Sequence, residues 1–317
     1  MIHTGVMSDP LQNRTVVGIG ETVLDIVFRN NQPQAAVPGG SVFNAMVSLG
    51  RTAGRLCPGT SLVMASQTGN DAVAGIITDF MRENRLDTGF IQRDPGQSTV
   101  SMALLDKDNN ARYEFFRDKG LPPFRTPEIR FRAEDLLLFG SFFAVSEATG
   151  PQTRELAQAA RDAGAIIYYD INFRKNHPAD PRTVERNIAL SDIVRGSDED
   201  IEALYSDPDP VRVYREHIAP LCPNYICTKG AQPAEVFSPG VHASFPTEPV
   251  AQLVSTIGAG DNFNAGFVFG ILRSGFTRER IRHLSEEDWG RLVPTAMRFS
   301  AEVCASLQNY VRPDFQP

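Results

Sequence analysis

Short apolar runs rich in β-branched residues alternate with stretches of helical periodicity along most of this chain. Such alternation predicts an α/β fold, with a mostly parallel central sheet covered by helices on both faces. The runs expected to form strands are 15–19, 61–65, 136–139, 165–169, 193–194 and 225–227. Because ligands bind beyond the carboxyl ends of the strands in such sheets, we expect functional residues in the loops that follow these runs.

Two regions depart from the alternation. Residues 98–105 and 111–116 are strand-like runs joined by the turn-rich connector 106–110, which is typical of a β-hairpin. Residues 26–36 form another extended stretch before a Pro-Gly-Gly turn. These strands are too few to bury a core of their own, so we predict a small β-lid made of 26–36 and 98–116. The predicted α/β core comprises 1–25, 37–97 and 117–317.

Charge and hydropathy exclude several classes of protein. The chain has a net charge of −7 and its arginines form no basic patch, so nucleic acid is not an expected partner. No apolar run approaches the ~18 residues that cross a bilayer, and the first residues contain no apolar signal-peptide core. We therefore expect a cytoplasmic protein with no membrane partner.

The most informative motif is Gly258-Ala259-Gly260-Asp261, which is followed at once by a helical pattern. Glycines before a helix allow backbone N–H groups to turn toward an anion, and the helix dipole adds to that attraction. A carboxylate at Asp261 could accept the proton of a hydroxyl that attacks a phosphoryl group held there. A glycine-rich turn with Asp261 as an ordinary helix N-cap explains the motif equally well.

A second glycine motif, Gly39-Gly40, lies near the start of the chain and precedes another helical pattern. The glycines permit close approach of the backbone to a ligand, and the amide of Asn44 in the first helical turn can bond to hydroxyl groups. Taken alone, this motif is explained more simply as a loop with Ser41 as the helix N-cap.

Together, these motifs resemble the two signatures of the ribokinase-like (PfkB-type) carbohydrate kinases. Their order, their separation by more than 200 residues and the strand–helix alternation between them are similar to that family, from about residue 15 onward. The resemblance implies a three-layer α/β sandwich with a β-sheet lid. It also implies an ATP-dependent kinase that phosphorylates a primary hydroxyl of a small sugar.

The resemblance also implies roles for individual residues. Asp261 would be the catalytic base, and Gly258, Ala259 and Gly260 would form the anion hole for the transferred phosphoryl group. The residues expected to bind the sugar are Asp25, Gly39, Gly40, Asn44, Arg117, Asn172 and Arg174. The residues expected to bind the nucleotide are Ser197, Thr228, Gly230, Gly258 and Gly260. Mg²⁺ would be bound largely through ATP phosphates and waters, with water-mediated support from Asp200.

Some positions depart from the family pattern. Many members carry Asn-x-x-Glu where this chain has Ser197-Asp198-Glu199-Asp200, a variant similar to that of the fructokinase branch. A solvated helix start is the alternative interpretation of this acidic run. Ser255 stands where many members have aspartate, so a monovalent-cation site is doubtful and we expect weaker dependence on K⁺.

Substrate preference rests on two further segments. Residues 113–118 and 170–174 resemble those of fructokinases and 2-keto-3-deoxygluconate kinases. Arg117 could grip a carboxylate, pair with Asp118 or close the lid. A kinase that acts on fructose is favoured, and the alternatives are a 2-keto-3-deoxygluconate kinase and a ribokinase. The exposed strand edges of the predicted lid also favour a homodimer.

Two functions of other classes are alternatives to a kinase. A non-catalytic sugar- or nucleotide-binding regulator on the same fold is disfavoured by the intact Asp261. A nicotinamide oxidoreductase is disfavoured because Gly18-Ile19-Gly20 lacks the third glycine or alanine of a dinucleotide fingerprint; Val23 occupies that position.

Overall fold

The computed structural model of the protein describes residues 13–105, 111–173 and 180–317. Within these ranges, the predicted alternation of strands and helices is confirmed. The strands are β1 (Thr15–Ile19), β2 (Val23–Arg29), β3 (Gln32–Gly39), β4 (Ser61–Gly69), β5 (Ile91–Asp94), β6 (Val100–Leu105), β7 (Ala111–Phe116), β8 (Leu136–Gly140), β9 (Ile166–Asp170), β10 (Ile193–Ser197), β11 (Asn224–Lys229), β12 (Gln232–Ser238) and β13 (Val241–Phe245). The helices are α1 (Ser41–Arg51), α2 (Ala53–Leu56), α3 (Ala72–Glu83), α4 (Ser141–Val145), α5 (Gly150–Asp162), α6 (Pro181–Leu190), α7 (Asp198–Tyr205), α8 (Pro210–Val213), α9 (Ala259–Ser274), α10 (Arg278–Arg282) and α11 (Glu286–Cys304), with a π-helical turn at Tyr214–Ile218.

The main sheet of the described chain contains nine strands in the order β13-β12-β11-β10-β9-β8-β1-β4-β5. Pairing is parallel from β5 across to β11 and antiparallel from β11 to β13. Successive residues of β1 point to opposite faces: Val16 joins a core with α1, α9 and α11, and Val17 joins a core with α5 and α6. The mostly parallel three-layer sandwich is therefore confirmed.

A separate small sheet has the order β3-β2-β6-β7. β6 and β7 pair antiparallel, as the hairpin prediction requires, although their connector 106–110 lies outside the described residues. The extended stretch 26–36 forms a second hairpin that turns at Asn30 and Asn31, both with positive φ. This sheet reaches Val23 and Gly39, so it joins the main sheet close to the first glycine motif.

Helix α9 is anchored on both sides. It packs against α11 and α1, and Gly266 lets the α11 backbone come so close that an added Cβ would lie 2.6 Å from Ala296 Cα. The amide of Asn262 donates to the carbonyl of Asn309, which fixes the helix start to the C-terminal segment. None of the helices in the described part of the chain is both long and apolar enough to cross a membrane.

Candidate active site

A cavity of about 960 Å³ lies between the small sheet and the carboxyl ends of the parallel strands. Its walls are formed by the loops after β1, β8 and β9, the ends of β10 and β11, strand β7 and the start of α9. A volume of this size accommodates a nucleotide together with a small second ligand. The cavity lies where ligands bind in parallel α/β sheets.

Asp261 lies in the first turn of α9, but it is not the helix cap. The N-cap is Gly258, whose φ of 75° is in the left-handed region, and no side chain caps this helix. The Asp261 carboxylate instead accepts hydrogen bonds of 2.8 Å from the Ser41 hydroxyl and the Asn44 amide. The N-cap interpretation of Asp261 is therefore wrong, and two residues of α1 orient its carboxylate.

The start of α1 also differs from the simpler interpretation. Its N-cap is Gly40 rather than Ser41, and the Ser41 hydroxyl accepts a 2.9 Å hydrogen bond from the Asn172 amide while it donates to Asp261. The carbonyl oxygen of the buried Asn44 side chain has no hydrogen-bond partner among the described residues. That oxygen is therefore available to accept a hydroxyl from a ligand.

Asp25 is held at the junction between the small sheet and the first glycine motif. Its buried carboxylate accepts hydrogen bonds from the Ser101 hydroxyl and, at 3.2 Å, from the Asn309 amide. A side chain at Gly39 would overlap this carboxylate. Gly40 has a φ of 123°, which other residues rarely adopt. Both glycines are therefore required by the local packing and backbone.

The start of α9 combines a left-handed turn with backbone donors. The first N–H groups of a helix lack partners within the helix, and the dipole of α9 favours an anion beside them. Gly258 packs close to the Asn309 carbonyl, and the Ala259 carbonyl accepts a 2.9 Å hydrogen bond from Ser300. Gly258, Ala259, Gly260 and Asp261 all line the cavity, so the motif has the form of an anion-binding turn.

The predicted nucleotide-binding residues gather at the ends of β10 and β11. Thr228 lies opposite Ser197 in the last residue pair of the parallel strands β10 and β11. Its hydroxyl accepts a 2.5 Å hydrogen bond from Arg195. Gly230 follows with a φ of 55° in the tight turn to β12. Ser197 caps α7, and its hydroxyl accepts the N–H of Asp200. These residues, including Arg195, share one wall of the cavity.

Asp200 is buried, so the solvated-helix interpretation of the acidic run is wrong at this position. Its two carboxylate oxygens each accept a 2.7 Å hydrogen bond from a backbone N–H, one of Phe173 and one of Ser197. Burial raises the pKa of Asp200 to about 6, and the nearby Arg195 opposes that rise. In the described ranges, no group of three or more histidine, cysteine or acidic side chains could hold a metal ion.

One interpretation of the sequence paired Arg117 with Asp118, but Arg117 instead pairs with Glu21. Its Nε and Nη2 donate to the two carboxylate oxygens of Glu21 at 2.8 and 2.9 Å, and its guanidinium lies over the rings of Phe115 and Phe142. Asp118 instead accepts backbone N–H groups. The other predicted sugar-binding arginine, Arg174, lies outside the described residues.

Four residues contact the predicted site residues, although the sequence analysis gave them no role in the site: Ser41, Glu21, Arg195 and Asn309. Arg195 carried a usable signal, since it is a charged residue within a buried strand and precedes Ser197 by two positions. Glu21 directly follows the first strand and its glycine. Asn309 and Asp25 are 284 positions apart in the sequence, and no local sequence pattern predicts their contact.

Comparison with known proteins agrees with this geometry. The family model described as pfkB family carbohydrate kinase matches residues 14–305. Fructokinase from Rhizobium leguminosarum bv. trifolii is 27% identical over 284 residues, which cover 84% of this chain and 83% of that relative.

Two solved structures share the fold. Aminoimidazole riboside kinase from Salmonella enterica, complexed with aminoimidazole riboside and an ATP analog, has a TM-score of 0.79 at 20% identity, covering 95% of this chain and 97% of its own. A double mutant of fructokinase from Vibrio cholerae O395, bound to fructose, ADP and potassium ion, has a TM-score of 0.81 at 19% identity, covering 94% of each chain. The predicted family is confirmed: the chain belongs to the pfkB family of carbohydrate kinases, phosphotransferases that use an alcohol group as acceptor.

Proposed function

We propose that this carbohydrate kinase transfers the γ-phosphoryl group of ATP to a primary hydroxyl of fructose, with Asp261 as the catalytic base. The observation that carries the proposal is the Asp261 carboxylate, held by Ser41 and Asn44 directly beside the anion-binding turn. A carboxylate fixed at that place is suited to accept a proton from a hydroxyl aimed at a phosphoryl group.

In the proposed reaction, the sugar hydroxyl oxygen forms a bond to the γ-phosphorus while the bond to the β–γ bridging oxygen breaks. ADP leaves with the electron pair of that bond, and the hydroxyl proton passes to Asp261. The N–H groups at Gly258, Ala259 and Gly260 stabilise the charge that develops on the transferred group. Asn44, through its free carbonyl oxygen, and Asp25 accept sugar hydroxyls.

The pairing of Arg117 supports a neutral sugar over a sugar acid. Because Glu21 occupies the Nε–Nη2 edge of the Arg117 guanidinium and offsets its charge, Arg117 offers little net charge to a substrate carboxylate. Asn172 lines the cavity and completes the proposed sugar site, and the sugar-binding role of Arg174 stays a prediction. This argument and the likeness to fructokinases favour fructose over 2-keto-3-deoxygluconate.

A riboside is a second candidate substrate. The rings of Tyr113 and Phe115 stack on each other at 5.8 Å between centroids, and both line the cavity beside Phe142. Aromatic faces of this kind bind flat rings by stacking, so a sugar that carries a heterocycle would fit beside them. The likeness to aminoimidazole riboside kinase points to the same alternative.

For the nucleotide, we propose that Ser197, Thr228, Gly230 and the first turn of α9 hold the phosphates of ATP. Mg²⁺ would neutralise phosphate charge during transfer. Both oxygens of Asp200 already accept backbone hydrogen bonds, so Asp200 fits a Mg²⁺ ion only through a bridging water. The division into core and lid, the homodimer and the cytoplasmic location stay predictions.

The test is an ADP-release assay with fructose, 2-keto-3-deoxygluconate, ribose, aminoimidazole riboside, adenosine and fructose phosphates. The proposal predicts the highest kcat/KM with fructose, and 2-keto-3-deoxygluconate at least about tenfold lower, a difference of ~1.4 kcal/mol in transition-state binding. Preference for the sugar acid would contradict the argument from Glu21. Preference for aminoimidazole riboside would establish the second candidate instead.

A further inference from the structure

One cation in the cavity has no role in the mechanism above. Arg117, Lys229 and Arg195 are the basic side chains among the described residues that line it. Arg117 and Lys229 are each paired with a glutamate, and 33% and 21% of their side chains are exposed. Only 9% of the Arg195 side chain is exposed. A buried guanidinium beside the proposed phosphate site requires an explanation, because burying a charge is costly unless the charge is paired and hydrogen-bonded.

The contacts of Arg195 join the end of β9 to β11. Nη1 donates to Asp170 at 3.1 Å and Nη2 donates to the Thr228 hydroxyl at 2.5 Å. Nε is buried and has no hydrogen-bond partner within the described chain. Since the Thr228 oxygen accepts from Arg195, the Thr228 proton stays available to donate to a phosphate oxygen.

Arg195 also explains the second glycine of the anion-binding motif. Gly260 has helical backbone within α9 and no positive φ, so its conformation does not require glycine. A Cβ added there would lie 2.8 Å from both Nη1 and Nη2 of Arg195. The guanidinium therefore packs directly against the backbone of the turn that the mechanism uses as its anion hole.

The charge of Arg195 offsets nearby carboxylates. Burial alone would lower the pKa of Arg195, but Asp170 and Asp200 outweigh burial and raise the pKa above its ordinary value. The side chain is thus a permanent cation. Without it, the charge of the buried Asp170 and of Asp200 and Asp261 in the cavity lining would not be offset, and like-charge repulsion would disfavour phosphates in this cavity.

We propose that Arg195 is a positioning residue for phosphoryl transfer, an inference that rests on the proposed kinase function. It holds the Gly260 turn and the Thr228 hydroxyl in one geometry around the γ-phosphoryl group, and it balances the buried charge of Asp170. Substitutions that remove the guanidinium N–H donors of Arg195 would loosen both the Gly260 turn and the Thr228 hydroxyl.

The first test compares Arg195→Met and Arg195→Lys with the control Arg278→Met. Arg278 forms a similar partly buried ion pair with Asp192, at 3.0 Å, but does not line the cavity. We expect Arg195→Met to lower kcat by about 10²-fold, because misplacement of catalytic groups has an effect of this size, with the KM for fructose changed less than about twofold. Lysine restores the charge without the fork, so Arg195→Lys should recover about tenfold of the loss.

Arg278→Met should lower thermal stability while kcat stays near the wild-type value. A kcat of Arg195→Met within about threefold of wild type would overturn the proposal. So would equal losses of kcat in the Arg195 and Arg278 variants, because they would indicate general destabilisation. If Arg195→Met does not fold, Arg195→Lys is judged by the same criteria, with a kcat loss of about tenfold expected.

The second test is a double-mutant cycle with Gly260→Ala. In the wild-type background the added methyl meets the guanidinium, and we expect kcat to fall by about 10²-fold. In the Arg195→Lys background the slimmer side chain can move away, so the same substitution should cost less than about tenfold. An equal cost in both backgrounds would overturn the claimed contact between Arg195 and the turn.

Failure of the kinase proposal is distinguishable from failure of this inference. If the wild-type chain releases no ADP with any sugar, the proposed function fails, and calorimetric binding of a non-hydrolysable ATP analog still tests Arg195. We then expect about tenfold weaker binding for Arg195→Met than for Arg278→Met. Equal affinities would overturn the role of Arg195 at the phosphate site.

Discussion

The proposed phosphoryl-transfer end of the cavity is more deeply buried and more tightly packed than the proposed sugar-selecting end. At the first end, Asp261 accepts bonds from Ser41 and Asn44, in a helix locked between α1 and α11. At the second end, Arg117 and Glu21 form a partly exposed ion pair beside the small sheet. In the proposed mechanism, the chemistry therefore depends on short motifs and buried turns, and the choice of substrate depends on side chains beside a less buried sheet.

Packing explains the difference. Helix α9 is buried along most of its length, so its first turn cannot shift without disturbing the core. The small sheet has four strands in the described chain, and residues such as Phe116 on its edge strand β7 are exposed. Elements with few buried contacts open at low free energy, a property that agrees with the predicted role of this sheet as a lid over the sugar.

Among the substitutions that compare the two ends, the largest effect is expected from Asn44→Ala at the proposed phosphoryl-transfer end. Loss of one of the two bonds to Asp261 lets the carboxylate rotate, and a misplaced catalytic group costs about 10²-fold in kcat. Asn187→Ala is the control, because Asn187 is a buried asparagine of α6 whose amide bonds to Ala144 outside the cavity. Similar kcat values for Asn44→Ala and the wild type would show that the α1 contacts do not orient the base.

A smaller effect is expected from Glu21→Gln at the other end. The substitution leaves the Arg117 charge unpaired, so kcat/KM for 2-keto-3-deoxygluconate relative to fructose should rise about tenfold. Glu114→Gln removes an exposed pair with Arg112 on the same sheet and serves as the control. An unchanged ratio in Glu21→Gln would contradict the assignment of substrate choice to this pair.

The small sheet is also expected to form the interface of a homodimer, which would double the molar mass measured by light scattering. Its edge strands β3 and β7 carry unpaired backbone groups and the exposed Phe116, a combination that favours pairing with another chain. A monomer mass at every concentration would refute the dimer.

The predicted lid is also expected to close over bound sugar. Hydrogen exchange in β6 and β7 that is equal with and without sugar would refute closure of the lid.

The smallest effect is expected from K⁺. The buried Ser255 hydroxyl is neutral and accepts the Ile257 N–H at 3.1 Å, so it attracts a cation less than the aspartate common in the family. Replacement of K⁺ by Na⁺ or tetramethylammonium should change kcat by less than about twofold. Ser255→Asp should increase the response to K⁺. Strong K⁺ activation of the wild type would contradict the prediction.

The fold and the geometry of the two glycine turns were predictable because they follow from local patterns. The buried strands show as apolar runs, and the two glycine motifs mark turns that only glycine fits at Gly40 and Gly258. The partners of Asp261 were only half predictable. Asn44 was recognised as polar and near a ligand, but its bond to Asp261 joins residues 217 positions apart.

Charged pairs were the least predictable part of the site. Arg117 has Asp118 beside it in sequence, yet it bonds to Glu21, which is 96 residues away. Sheet geometry brings β7 next to the loop after β1, and only the three-dimensional arrangement reveals which carboxylate is within reach. The same limit applied to Asn309 and Asp25, whose contact depends on the path of the C-terminal segment.

The most direct test of the central claim is kcat of Asp261→Asn, measured together with calorimetric affinity for fructose and ATP. Asparagine is nearly isosteric and preserves the turn, but it cannot accept the hydroxyl proton. We therefore expect kcat to fall by about 10²–10⁴-fold with both affinities nearly unchanged. A fall of less than about tenfold, equivalent to ~1.4 kcal/mol in the barrier, would show that Asp261 is not the base.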